Sequence, residues 1–389
     1  MEVKVLASTC PDYQLPVEEA EIFAGQSAGI CYMKDDFETI AREPEEKSLK
    51  RFARTAESGH HSVAGHASYN LLLTGVPKII AMILNNEKDY NTSEKSARYT
   101  RMKLEGDEER LYNKWFALFY EAIRGVYCDL NDEVTTKLAQ ENARYFISVF
   151  TPSTTMEYTV DFRQGNYLIG MLEEFACYCD ITDQNPFCDL LQPWLIKTAQ
   201  LFRSVMNCES IRDTKGRTLS LFAERERDEY FGEVYSVNYV GSFAQLAQAQ
   251  RHRTLHYEME IPNLFMARFF VPPILDRFPG LSEQYLADME SVKMGYPQGM
   301  LVKINERGMP EDFLTSKCSE RLCGAAQLEI CRQTKRTLDR YISTVAGNGQ
   351  ASVLQTLYAI QGKTKCQFTY QRCARPCPLG RQHAFDRLI

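Results

Sequence analysis

Two arginines flank a histidine in the triplet Arg251-His252-Arg253, and Gln248 lies one helical turn before it. The segment leading to this triplet predicts first a strand, over 234–240, and then a helix, over 243–249. Arginine presents a rigid fork of N–H groups that suits phosphate or carboxylate. A solvated basic turn is an alternative, because the C-terminal end of a helix favours cations. The triplet on its own favours this simpler interpretation.

Two further groups of residues could bind a transition metal, because imidazole and thiolate are its common ligands. The first group comprises His60, His61 and His66, and the second comprises Cys366, Cys373, Cys377 and His383. The histidine group has no cysteine or carboxylate nearby at a ligand spacing, so a polar loop is the favoured interpretation. The spacing of the second group fits no zinc motif, and free or buried thiols are favoured there.

Composition restricts the class of protein. The chain has 389 residues, of which 44% are hydrophobic and 25% charged, and this is enough for two domains with ordinary cores. A net charge of -6 argues against a general nucleic-acid binder. No apolar run is long enough for a bilayer, and the start of the chain does not resemble a signal peptide, so we expect no membrane association and a cytoplasmic location. We expect the 13 cysteines to be mostly small buried residues rather than disulfides.

Two stretches predict the same order of strand, short helix, polar end and an Ala-Arg-aromatic triplet. The first has its strand at 68–74, its helix at 77–84 and its triplet at 97–99; the second has them at 234–240, 243–249 and 267–269. An internal repeat of one unit explains this agreement. Further helices are predicted over 111–130, 131–150, 168–179, 187–206, 282–292, 313–344 and 351–360.

The motifs in these two stretches resemble those of the flavin-dependent thymidylate synthases. That family joins an Arg-His-Arg turn to a Glu-x-Ser-x-Arg-Tyr segment. The second half of this chain keeps Gln248-x-x-Arg251-His252-Arg253, and the first half keeps Glu94-x-Ser96-x-Arg98-Tyr99. Each half has other residues where the missing motif would lie, namely 264–269 in the second half and 85–87 in the first. A duplicated gene with specialised halves would leave this complementary pattern.

Two other segments extend the resemblance. Glu141-Asn142-Ala143-Arg144 resembles a later Glu-x-Ala-Arg segment of the family. The catalytic arginine of the family lies six residues before a glutamine, and this spacing selects Arg321 and Gln327 in the second half. Leu172 occupies the aligned position in the first half.

The resemblance implies an α+β fold: two copies of a thymidylate-synthase-complementing-type unit, each a sheet packed with long helices. The domains would be 1–212, with the nucleotide-phosphate residues, and 213–346, with the flavin triplet and the catalytic arginine. A C-terminal extension, 347–389, would follow. Family members assemble from four copies of one unit, so the resemblance implies a homodimer of this chain, a pseudo-tetramer.

The implied reaction is reductive methylation of dUMP at C5 of uracil to give dTMP, with FAD as cofactor and with NADPH and methylenetetrahydrofolate as co-substrates. Arg321 would be catalytic, because a guanidinium at the carbonyl oxygens stabilises charge as C5 gains electron density. The residues implied to bind the nucleotide are Gln248, Glu94, Ser96, Arg98, Tyr99 and Arg144. The residues implied to hold the flavin are Arg251, His252 and Arg253, with His60 nearby.

Other interpretations stay open at the level of sequence. Arg98 and Arg321 could be structural ion-pair partners, His60 a core histidine and Ser96 a helix cap. The chain could also install another C5 substituent or accept another pyrimidine nucleotide. A third possibility is a non-catalytic nucleotide-binding or assembly protein whose flavin site has decayed.

Overall fold

The computed structural model describes residues 1–9, 16–97, 100, 102–181, 185–211, 216–223, 228–348, 351–369, 373, 377, 379 and 384–389. The strands are β1 Glu2–Ser8, β2 Ser68–Val76, β3 Tyr90–Glu94, β4 Thr154–Asp161, β5 Tyr230–Phe231, β6 Tyr235–Ser242, β7 His256–Met259 and β8 Leu301–Gly308. The helices are α1 Pro16–Tyr32, α2 Phe37–Ala41, α3 Glu45–Glu57, α4 Lys78–Leu84, α5 Gly106–Val126, α6 Asp132–Ala143, α7 Phe162–Ile181, α8 Pro186–Met206, α9 Phe243–Ala249, α10 Leu281–Ser291, α11 Pro310–Asp312, α12 Ser319–Arg321, α13 Leu328–Asn348 and α14 Ala351–Ile360.

The contacts divide the chain into two units. The first unit comprises residues 1–95 and 150–219, and the second comprises 96–149 and 220–389. Helices α5 and α6 therefore pack with the second half of the chain, although they precede β4. The predicted boundaries near 212 and 346, which separate the two repeated units and the C-terminal extension, stay a prediction.

The first unit is built on an antiparallel sheet in the order β1-β2-β4-β3. Residues alternate along β2, so that Tyr69, Leu71 and Leu73 point into the core while their neighbours are partly exposed. This period of two is what a half-buried strand requires. Helices α7 and α8 pack against each other, as do α1 and α3.

The second unit has an antiparallel sheet in the order β5-β6-β8-β7. Its principal aromatic core surrounds Trp115 of α5, whose ring stacks on Phe146 at 5.5 Å and meets the edge of Tyr285 at 4.9 Å. The indole N–H of Trp115 donates to Asp288 at 2.8 Å, so the one polar atom of this ring is satisfied. This core anchors α5 in the second unit.

The predicted α+β class is confirmed, and the strand-then-helix prediction matches β6 followed by α9 and β2 followed by α4. The predicted continuous helix over 313–344 is wrong. Residues Phe313–Cys318 form a π-helix, Leu322 leaves the helical region at ψ 60°, and α13 starts only at Leu328. Strands β3, β7 and β8 were not predicted, because their alternation is short or interrupted by charged residues. Among the described residues, no helix combines the length and the apolar character needed to span a membrane.

Candidate functional site

The turn that follows α9 separates the side chains of the Arg-His-Arg triplet. Ser242 caps α9, since its hydroxyl accepts from the Gln245 backbone N–H at 3.1 Å. After Ala249 the chain turns, and the backbone N–H of His252 donates to the carbonyl of Ala249 at 3.0 Å. His252 is consequently buried, whereas Arg251 and Arg253 are exposed. The triplet thus presents two cations to solvent and one imidazole to the interior.

Arg321 of α12 is oriented by two hydrogen bonds to this same turn. Its Nε donates to Nε2 of His252 at 2.8 Å, and its Nη2 donates to the backbone carbonyl of Gln248 at 3.1 Å. That carbonyl belongs to the last turn of α9, where carbonyl groups lack helical partners and attract cations. The structure therefore brings together three of the predicted residues, Gln248, His252 and Arg321, with the guanidinium half-buried.

A buried polar atom remains in this group. Oε1 of Gln248 is shielded from solvent and accepts no hydrogen bond from any described protein atom. A buried acceptor without a partner is costly, so it is normally satisfied by water or a ligand. Gln248 is therefore positioned to accept a hydrogen bond from a bound molecule.

Four residues before Arg321 in the chain, Lys317 of the π-helix forms a buried ion pair with Glu306 of β8. Both side chains are inaccessible to solvent. The hydroxyls of Tyr235 and Tyr239 donate to Glu306 at 2.8 and 2.9 Å. The Lys317 ammonium also lies 5.5 Å from the ring centre of Tyr239. Burial first, and then the adjacent Glu306, raise the pKa of both tyrosines well above the usual range, so they remain hydroxyl donors.

Arg144 belongs to a second buried network in the same unit. It donates to Oε1 of Gln327 at 2.7 Å, and the Gln327 amide donates to the hydroxyl of Tyr145. Tyr145 donates to Glu329 at 3.3 Å, while the backbone N–H and hydroxyl of Ser242 donate to Glu329 at 2.7 and 2.6 Å. Burial raises the pKa of Glu329 to about 7, although these donors oppose the shift. The network ties the start of α13 to the end of β6.

Glu94 lies at the end of β3 in the first unit, and its side chain is almost fully buried. It accepts from the Lys78 ammonium at 2.7 Å and from the Asn85 amide at 3.3 Å. Ser96 follows β3, and its carbonyl accepts from the Thr100 N–H at 3.0 Å. Arg98 and Tyr99, which complete this predicted motif, lie outside the described residues.

His60, also in the first unit, adjoins an open cleft between α1 and α3. Its Nδ1 shares a hydrogen bond of 2.6 Å with the hydroxyl of Tyr32. Tyr32 in turn lines the cleft, whose volume is about 610 Å³. The other lining residues are Lys47, Lys50, Arg51, Arg54, Thr55 and Ser58. Arg51 pairs with Glu43 at 2.6 Å and Lys50 with Glu46 at 2.5 Å, and the hydroxyls of Thr55 and Ser58 donate to backbone carbonyls. Lys47 and Arg54 add positive charge to the lining, which suits an anionic ligand.

The part of the chain that the structure describes supports neither of the two candidate metal sites. No set of three or more potential ligands converges among the described residues. His61 of the first group is instead buried and bonded to the Tyr167 hydroxyl at 2.7 Å. Cys366, Cys373 and Cys377 form no disulfide, as predicted, and His383 lies outside the described residues.

Sequence reasoning missed Lys78, Lys317 and Glu306 as parts of these sites. Lys317 had a recognisable signal, because it follows Phe313 and Leu314 at helical spacing and thus occupies a core position. Lys78 and Glu306 had none, because their partners are fixed only by the pairing of strands and helices.

Comparison with known proteins gives one family. Residues 15–171 match the family model described as thymidylate synthase complementing protein. No curated protein matches the chain. Two solved structures of flavin-dependent thymidylate synthase ThyX from Helicobacter pylori with FAD and dUMP are similar, each at a TM-score of 0.30. They are 18% and 17% identical and cover 53% and 54% of this chain and all of their own.

Proposed function

We propose that the chain is a flavin-dependent thymidylate synthase, because residues 15–171 match the thymidylate synthase complementing protein family. The reaction is the reductive methylation of dUMP at C5, with methylenetetrahydrofolate as the methylene donor and NADPH as the reductant. The observation that carries the proposal is the Arg321 guanidinium, which is half-buried and held by His252 and Gln248 at 2.8 and 3.1 Å. A cytoplasmic location is part of the same proposal.

Arg321 would act on the uracil ring by electrostatics. C5 of uracil is a weak nucleophile, and its activation places negative charge on the ring oxygens. A permanently charged guanidinium, already oriented before the substrate binds, stabilises that charge without reorganisation. A lysine would not reproduce this arrangement. Its three N–H groups share one nitrogen, whereas Arg321 donates to His252 and to Gln248 from two separate nitrogens.

The nucleotide would be held by residues from both sequence motifs. Arg98 and Ser96 would bind the phosphate, with Tyr99 beside them. Glu94 would accept from a sugar hydroxyl or orient an arginine. Gln248 would offer its unsatisfied Oε1, and Arg144 would support the others through its buried network.

We assign FAD to the first-unit cleft next to His60. A pyrophosphate needs several cationic donors, and the cleft is lined by Lys47, Lys50, Arg51 and Arg54, of which Lys50 and Arg51 would share their glutamate partners with it. We also assign Arg251 and Arg253 to flavin binding, because both are exposed cations. When bound, the flavin supplies hydride transfer, and the protein contributes position and electrostatic field.

The test is a visible absorbance spectrum of the purified protein, recorded with FAD before and after dUMP is added. We expect a flavin spectrum that shifts with dUMP, and dUMP-dependent oxidation of NADPH when methylenetetrahydrofolate is present. The mass of the product identifies the transferred group, so it separates thymidylate synthesis from another C5 modification. Absence of flavin binding after soaking with FAD would favour a non-catalytic nucleotide-binding protein.

The variant Arg251→Ala tests the assignment of Arg251 to the flavin. We expect it to lower flavin affinity by at least tenfold, the effect of one lost charge-assisted contact of about 1.5 kcal/mol. Arg340→Ala is the control, because Arg340 is also an exposed arginine, it pairs with Glu229, and no flavin contact is assigned to it. Equal flavin affinity in the two variants would contradict the assignment of Arg251.

A further inference from the structure

The contact between Arg321 and His252 determines the state of the imidazole. Nε of a guanidinium carries a hydrogen and can only donate. Nε2 of His252, at 2.8 Å from it, must therefore be the unprotonated acceptor. The single ring proton is consequently on Nδ1, and the ring is neutral.

The surroundings keep His252 in this neutral form. The residue is buried, and the cationic groups that act on it are Arg321 and Lys317. Burial first, and then these two cations, lower the pKa of His252 to about 2. The negative charge of Glu306 is directed to Lys317 and to the hydroxyls of Tyr235 and Tyr239.

We propose that His252 is a positioning residue, which holds the Arg321 guanidinium as a neutral hydrogen-bond acceptor, rather than a flavin ligand like its neighbours Arg251 and Arg253. This role rests on the proposed function of Arg321. It follows from the 2.8 Å contact and from the division of the triplet, in which the imidazole faces the interior and both guanidinium groups face solvent.

The hydrogen bond has a geometric function. A guanidinium is free to swing about its own side-chain torsions unless two of its nitrogens are anchored. His252 anchors Nε and the Gln248 carbonyl anchors Nη2, so the plane of the guanidinium is fixed. A protonated His252 would replace attraction by repulsion between two cations.

The first test reads the tautomer directly by NMR on the full-length protein with nitrogen-labelled histidine. The His252 signal is assigned by its loss in His252→Asn. We expect the pattern of a neutral ring protonated on Nδ1, unchanged between pH 8 and pH 5. An imidazolium pattern at pH 7, or a ring protonated on Nε2, would overturn the proposal.

The second test separates positioning from flavin binding. We expect His252→Leu to lower kcat by roughly 100-fold, with the KM for dUMP and the affinity for FAD changed less than threefold. His252→Asn should recover part of the rate, because its amide oxygen can accept from Arg321. A tenfold loss of FAD affinity in His252→Leu with an unchanged kcat would make His252 a flavin ligand instead.

The two tests distinguish failure of this inference from failure of the proposed function. If the wild-type protein neither binds flavin nor turns over dUMP, the proposed function fails, while the NMR pattern still reports whether His252 accepts from Arg321. If turnover is present but the tautomer is wrong, only the positioning role is lost.

Discussion

Burial decides what each chemically capable residue can do in this protein. Arg251 and Arg253 are exposed, whereas His252, between them, is buried and bonded to Arg321. Glu94 is likewise buried and neutralised by Lys78, so a role for its carboxylate in nucleotide binding would be exerted together with that lysine. Single residue types therefore indicate possible chemistry, and their partners select among the possibilities.

Glu329 shows how burial couples a residue to pH. Its pKa is raised to about 7, above the roughly 4.3 of an unfolded glutamate. The folded chain thus binds more protons than the unfolded chain between these values, and stability falls as pH rises through them. Relative to Glu329→Gln, we expect the wild-type free energy of unfolding to fall by up to about 3 kcal/mol from pH 4.5 to pH 7.5.

Urea unfolding of both proteins at several pH values measures this difference. Ser242→Ala is the companion variant, because it removes the hydroxyl that donates to Glu329 at 2.6 Å and favours the ionised form. The loss of stability should then extend to higher pH. A wild-type and Glu329→Gln pair that differ by a constant amount would show that Glu329 is ionised throughout.

At the scale of elements, short irregular segments place the catalytic candidate. The π-helix Phe313–Cys318 precedes α12, and its buried Lys317 attaches it to Glu306 on β8. π-helical turns are rare and often occur at functional sites. A buried helix-to-strand ion pair therefore anchors the segment that leads to Arg321.

Replacing only Lys317 should lower the free energy of unfolding more than replacing both residues of the pair. Lys317→Met leaves Glu306 buried without its cation, and we expect the free energy of unfolding to fall by roughly 3–5 kcal/mol. The double variant Lys317→Met with Glu306→Gln should be less destabilised, because it buries no unpaired charge; the amide oxygen accepts from one of Tyr235 and Tyr239, and the amide NH2 donates to the hydroxyl of the other. Lys335→Met, which breaks a half-exposed pair with Asp339, is the control and should cost less than about 1 kcal/mol. Additive costs for the two buried changes in urea unfolding would contradict this coupling.

The close packing of α1 on α3 shapes the basic cleft. A Cβ added to Gly25 would lie 2.0 Å from the backbone oxygen of Ser48, so Gly25→Ala must push the helices apart. We expect a loss of about 1–3 kcal/mol in stability and a weaker flavin titration. Gly170→Ala, on α7, meets nothing within 4 Å and should be neutral or slightly stabilising. Equal thermal unfolding temperatures for both variants would contradict the packing argument.

At the scale of the whole molecule, the two sheets support the proposal of an internal duplication. Their strand orders, β1-β2-β4-β3 and β5-β6-β8-β7, follow the same pattern along the chain. In each sheet the second strand leads into a short helix, α4 or α9. We propose that the halves descend from one unit and have specialised.

Two copies of a chain that contains two units match an assembly of four units. We expect a homodimer, with a mass by light scattering of twice the 44.7 kDa chain. Arg98→Ala and Arg251→Ala should each abolish activity, and a mixture of the two should recover part of it if two chains complete one site. A stable monomer over a wide concentration range would contradict the dimer.

The sequence by itself determined the local elements and the residue types available for chemistry. The strand and the helix that precede Arg251 were predictable, because apolar periodicity and helix capping act over a few neighbouring residues. Only the tertiary structure decided that His252 faces Arg321, that Arg144 meets Gln327, and that Lys317 is neutralised on β8. Arg321 and His252 are 69 residues apart in sequence, and Arg144 and Gln327 are 183 apart. Such contacts form where separate elements pack together, and no local pattern in the sequence encodes them.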